Sequence, residues 1–475
     1  MNEQNLVSDE IWKRTPPEVQ VLLLKLIEQN KLLLARIEKL EEQLALNSRN
    51  SSKPPSSDRL KRTRVNKKKK SEKKRGGQLG HKGSSRKLLS IEEVDKIQEC
   101  KPKQCEHCQH SLVGSDIQPQ RHQVAEIPIL KPEITEYRLH SLTCPNCGQT
   151  TKGKLPEDIT WSAFGPRTEA FVALLAGSYF ISRRAIQSLM KGFFGLEMSL
   201  GTVSRLEKQA SKALQIPVKE VAQAIKKTDA CNIDETGFRE NKKKSWLWTA
   251  TTSSISIFRI AYSRGTKVVK EILGEDYCGI VHSDRWSAYK YFDDEQRQLC
   301  WAHLIREFRK WELRGGQSKI IAEKLLIYTT SLFGQWYHIR DGTLSRGLFK
   351  YRMKKLQKEF EYLLTLASKC GHQKTMSTAK ELLRHKIALW TFIYIEGVEP
   401  TNNAAERALR PAVIWRKRSF GADSESGSRF VERILTTVYT LKLQKRDPLE
   451  FVANACKAYR IGHKPPSLLP LNITT

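Results

Sequence analysis

The sequence predicts an α/β catalytic core set within a longer, strongly basic chain of several domains. Three observations predict it. Between residues 228 and 311, strand-like and helix-like runs follow one another, with acids where strands end. Lys and Arg number 82 against 51 Asp and Glu, a net charge of +31, which suits a polyanionic partner, most simply nucleic acid. Two Cys-x2-Cys pairs, separated by 35 residues, offer the ligands of a structural metal.

The bulk of the chain agrees. Its 475 residues leave room for about three domains, and a hydrophobic content of 39% supplies their cores. The longest apolar stretch, AFVALLAGSYFI, has 12 residues, too few to span a bilayer, so no membrane partner is expected. The polar, acidic N-terminus reads as lacking a signal peptide. The ten cysteines are then expected to be reduced in a cytoplasm, where metal binding rather than disulfide formation explains their pairing.

Residues 16–47 read as one helix. Leu23, Ile37 and Leu44 fall at heptad position a and Leu26, Leu33 and Leu40 at d, with Asn30 also at a. A single asparagine in such a seam favours a parallel two-stranded coil, hence a homodimer or higher assembly; an amphipathic helix packed on its own domain is the alternative. Residues 48–90 change character: a Ser/Pro linker leads into 11 basic residues between Arg59 and Arg75, a run that buries no core and suits phosphates.

Residues 91–158 hold Cys105, Cys108, Cys144 and Cys147. Each Cys-x2-Cys turn aims two thiolates at one ion, and two turns make a closed tetrahedral site for one structural Zn2+. QVAEIPI and EITEYRLHSL, between the pairs, alternate like the short strands of a zinc ribbon. Residues 159–225 read as helices. SRRAIQSLMKGFF, a turn with Gly195 and SLGTVSRLEKQASKAL resemble a helix-turn-helix presenting Arg205 and Lys208, although a plain helical hairpin has the same pattern.

Residues 226–425 carry the α/β core. TDACNID is a strand ending in Asp234, SWLWTATT and SISIFRIAY are strands, GTKVVKEILG is a helix, and YCGIVHSD is a strand ending in Asp284. QRQLC is another short strand leading into the helix WAHLIREFRKW, and the order reads strand-strand-strand-helix-strand-helix-strand-helix, with one helix between YCGIVHSD and QRQLC. TNNAAERALRPAVIWRKRSF begins a helix at Asn402 or Asn403, with Glu406 in its first turn and Arg407 and Arg410 beside it. Alone, IDETG is a turn and Glu406 would pair with Arg410. Together, two aspartates and a glutamate are the hard oxygen set that Mg2+ or Mn2+ prefers, and two such ions suit in-line phosphoryl transfer. Glu235 is expected to face away from Asp234. His303 and Arg306 are candidate phosphate contacts, with core packing as the alternative. Residues at about 316–395 read as a helical insertion, and 426–475 as a C-terminal helical appendage.

NSSKPPSSD, GGQLGHKG, the double Cys-x2-Cys, IDETG, HSDRWSAY, CWAHLIREF and NNAAERALRP, in that order, resemble the DDE transposases of the IS66 family of bacterial insertion sequences. The resemblance implies an RNase H-like core, a triad of Asp234, Asp284 and Glu406, and two ions bound there. It implies as substrate the terminal inverted repeats, cut at the 3′ end and joined to target DNA in a bacterial cytoplasm, at the nucleoid. Accessory proteins of the same element are potential partners. Arg285-Trp286 stands where members often have Gly-Tyr, which leaves the ligand intact and alters the local DNA contact. A nuclease on this fold would cut without joining, and a DNA-binding repressor would not need three acids.

Overall fold

The computed structural model describes residues 9–45 and 87–470; the basic run at 59–75 lies outside them. The chain divides into two compact units, one of them Arg59–Pro132, and each is described by itself.

Helix α1 spans Asp9–Arg14 and α2 spans Pro17–Ala45. On α2 the seam residues Leu26, Leu33, Ile37, Leu40 and Leu44 are exposed. In the Arg59–Pro132 unit, Cys105 N–H donates to His110 O, and Gln109 N–H returns to Cys105 O. The QVAEIPI segment forms no strand. Pro128 cannot donate to a ladder, and Val124, Ile127 and Ile129 remain exposed. Of the second segment only its end is a strand, Ser141–Thr143 (β1), paired with Thr150–Lys152 (β2) around the Cys144 turn.

Four helices follow: Pro166–Gly177 (α3), Arg183–Phe194 (α4), Leu200–Ala213 (α5) and Gln215–Ala224 (α6). Ser182 and Ser199 cap α4 and α5 by accepting from Ala185 N–H and Thr202 N–H. Gly195 ends α4 with φ of 65°, where glycine carries no steric penalty. The sheet comprises Ala230–Glu240 (β3), Lys243–Thr251 (β4), Ser256–Ala261 (β5), Ile280–Ser283 (β6) and Arg297–Leu299 (β7), in the order β5-β4-β3-β6-β7. β4 runs antiparallel to β3 and β5, whereas β6 is parallel to β3 and β7 to β6. This order and these directions are compatible with an RNase H-like core. Thr266–Leu273 (α7) joins β5 to β6. The helix expected between β6 and β7 is absent; two 3-10 turns, Ser287–Tyr289 and Asp294–Gln296, take its place.

After β7 come Trp301–Leu313 (α8), Gly316–Arg340 (α9), Arg346–Ala367 (α10), Gln373–Arg384 (α11) and Thr391–Tyr394 (α12). They share a core of their own that includes Trp301, Phe308, Phe360 and Phe392. The main core joins the sheet to α3–α7 and to Asn403–Ser419 (α13), Glu425–Leu443 (α14) and Pro448–Arg460 (α15). The C-terminal helices are therefore no appendage. α14 lies along the β5 edge, where Thr440, Thr436 and Glu432 accept from the backbone N–H groups of Ser256, Phe258 and Ile260. Their spacing of four puts three acceptors on one helical face, matching alternate N–H groups of a strand. Among the described residues no helix is long and apolar enough to cross a membrane.

Candidate functional site

Asp234 sits inside β3 rather than at its end, since the strand continues to Glu240. What ends there is the parallel pairing, whose last matched residues are Asn232 and His282. Continuing that offset sets Asp284, the residue after β6, beside Asp234. The third acid arrives on α13. Asn402, expected as a cap, makes no side-chain cap. It is wholly buried, and its Nδ2 donates to Ile233 O at 2.8 Å while its Oδ1 accepts from Asn232 Nδ2 at 2.9 Å. Asn402 N–H also donates to Cys300 Sγ at 3.1 Å. These bonds pin the start of α13 to β3 and bring Glu406 to the aspartates.

The electrostatics report that crowding. Asp234 is pushed well above the usual carboxylate range, first by burial and then by the charges of Glu235, Asp284 and Glu406. Among the described residues no cationic side chain pairs with it. Burial also raises Asp284, against the pull of Trp286 N–H and of Arg264, Arg285 and Arg297. Trp286 N–H donates to Asp284 Oδ1 at 2.8 Å. Glu235 is held elsewhere: it accepts from Arg264 Nε at 2.7 Å and from the Tyr289 hydroxyl at 2.5 Å.

Glu406 meets not Arg410 but Arg306, whose Nη2 lies 2.8 Å from Oε1. His303 Nδ1 is 3.8 Å from the same oxygen. Burial, with Arg306, Arg285 and Lys310, holds His303 down to about 3, so that contact is not an ion pair. Cys300, His303 and Glu406 together place three metal-capable atoms within 4.8 Å of one another. Burial lifts the Cys300 thiol to about 11, and its Sγ accepts from Asn402 N–H. Arg407 and Arg410 are exposed on α13, and Arg205 and Lys208 on α5.

The two Cys-x2-Cys turns belong to different units but share one local geometry. N–H groups of Cys108 and His107 hold the Cys105 thiol below its ordinary value, and those of Cys147 and Asn146 do the same for Cys144. The residue after each pair is left-handed, Gln109 at φ 58° and Gly148 at φ 70°. Arg264, Tyr289 and the bridging role of Asn402 escaped the sequence reading. Each acts through a partner distant in the chain, and no local spacing signals that.

Residues 162–430, more than half of the chain, match the family described as "Transposase IS66 family". The class is thus that of transposases, and the chain belongs to the IS66 family. Residues 2–87 match a family of unknown function (DUF6444). The "Uncharacterized protein y4qI" of Sinorhizobium fredii is 27% identical over 289 residues, 54% of this chain and 53% of that protein. The chain therefore spans about half the length of the curated relative it matches.

Proposed function

We propose that this protein binds the terminal inverted repeats of an insertion sequence, cuts the element's 3′ ends and joins them to target DNA. The observation that carries this reading is the convergence of Asp234, Asp284 and Glu406, with no cationic partner for Asp234 among the described residues, in a chain of the IS66 family. A buried carboxylate whose proton affinity is raised by burial and by neighbouring acids fits a divalent cation.

Asp234, Asp284 and Glu406 would hold Mg2+ or Mn2+, which supplies activation of the attacking oxygen and stabilisation of the leaving one. Trp286 N–H orients the Asp284 carboxylate. Arg264 and Tyr289 fix the Glu235 carboxylate by hydrogen bonds, so that it acts on Asp234 through its charge. Arg306, beside Glu406, offers a guanidinium to a phosphate. Water breaks the P–O3′ bond at the element's end and frees its 3′-hydroxyl. That hydroxyl attacks a target phosphorus, and the target's own 3′-oxygen leaves. The second step exchanges one phosphodiester for another and needs no external energy source.

The surrounding parts support DNA handling. The sheet is read as an RNase H-like core, the α4–α5 pair as a helix-turn-helix with Arg205 and Lys208 outward, and Arg407 and Arg410 as further phosphate contacts. Cys105, Cys108, Cys144 and Cys147 are read as Zn2+ ligands, and α2 as a dimer seam. A labelled duplex carrying the element's end, incubated with plasmid and Mg2+, should give joined products; cutting without joining would replace this reading with that of a nuclease.

A further inference from the structure

Beside Asp284 a row of cations and aromatic rings reaches the surface. The Arg264 guanidinium lies 3.8 Å from the centre of the Trp286 ring and 4.6 Å from that of Trp246. Lys244 Nζ sits 5.2 Å from the Trp246 ring. Trp286 keeps 37% of its surface exposed, although an indole this large usually contributes to a core. Its position is fixed three ways: its ring rests on Arg264, its Nε1 donates to Arg264 O at 3.0 Å, and its N–H binds Asp284. Arg264 is itself anchored by Glu235 at 2.7 Å. An indole held this firmly at the surface is prepared for a flat ligand.

We propose that Trp286, backed by Arg264, is a stacking platform for an unpaired nucleobase next to the reacting phosphate. This rests on the reading of the site as a DNA-joining centre. A base within a duplex already has both faces stacked, so only an unpaired one offers a face to the indole. Arg264 strengthens the platform from behind, since a guanidinium over an indole is itself attractive. Lys244 and Arg264 add positive charge where the sugar-phosphate chain passes. Trp286 is two residues from Asp284, so the stacked base belongs to a nucleotide at or adjoining the scissile step.

The test uses the full chain in Ca2+ with a duplex bearing a short unpaired tail that contains 2-aminopurine. Wild type should quench the tail's fluorescence. Trp286→Ala should abolish the quenching and weaken the preference for tailed over blunt duplex by roughly tenfold. Trp286→Phe should restore much of both. Quenching that persists in Trp286→Ala, or never occurs in wild type, overturns the proposal. So does a Trp286→Ala protein that binds tails normally but changes its sedimentation, which would assign the ring to a contact between chains. Joining without tail stacking would sink this inference alone; stacking without joining would sink the transposase reading alone.

Discussion

Asn402 donates from Nδ2 to the carbonyl of Ile233 at 2.8 Å, one residue before Asp234. This bond joins the start of α13 to β3. Asn402→Ala would take these partners from the buried Ile233 carbonyl and the half-buried Asn232 amide, at a cost of about 1–3 kcal/mol. Denaturant unfolding should show that loss, and end cleavage should fall while DNA binding holds. An Asn402→Ala protein of unchanged stability would contradict this account of α13.

Glu432 supplies the pH prediction. Burial raises its carboxyl to about 8, outweighing the pull of Ile260 N–H and Arg259, even though Arg429 lies 2.8 Å away. The unfolded chain releases this proton near the ordinary Glu value, about 4.3, whereas the folded chain keeps it to about 8. The folded state thus binds more protons across that window. Stability should fall as pH rises through it, by at most about 1.4 kcal/mol per pH unit. In Glu432→Gln the slope between pH 5 and 8 should flatten; an unaltered slope would show that Glu432 is ionised throughout.

Zinc is predicted from the paired Cys turns. Metal analysis of the purified chain should find about one zinc per chain, and Cys144→Ser with Cys147→Ser should remove it. Full retention in that double variant would end the assignment.

The α2 seam predicts self-association. A peptide of residues 16–47 should be helical and dimeric at high concentration, and Asn30→Leu should tighten it while relaxing its choice of partner number. A monomeric, unfolded peptide would argue against a zipper.

What the sequence made legible follows from where each signal lives. The strands and the spacing of the cysteines are local, so periodicity and residue type expose them. Asp234 was found for its residue type and misplaced at a strand end, because IDETG looks like a turn until β4 is seen pairing beyond it to Glu240. Taken alone, Glu406 suggests a pair with Arg410 on its own helix; the ion pair it makes is with Arg306, 100 residues away. The strands expected in QVAEIPI did not form, since alternation without a covering layer stabilises nothing. The packing of α14 on β5 depends on Thr436 and Thr440, residues whose type carries no long-range signal.

In the proposed function Asp234, not Glu235, holds the metal. Asp234→Asn preserves shape and removes one ligand charge, and Glu235→Gln does the same one residue along. End cleavage by the two variants, measured in Mg2+ beside DNA binding measured in Ca2+, separates the roles. Asp234→Asn should lose cleavage by orders of magnitude while binding DNA at least as tightly as wild type, because an anion near phosphate is gone. Glu235→Gln should retain much more activity. An Asp234→Asn protein that cuts normally beside an inactive Glu235→Gln would contradict the account.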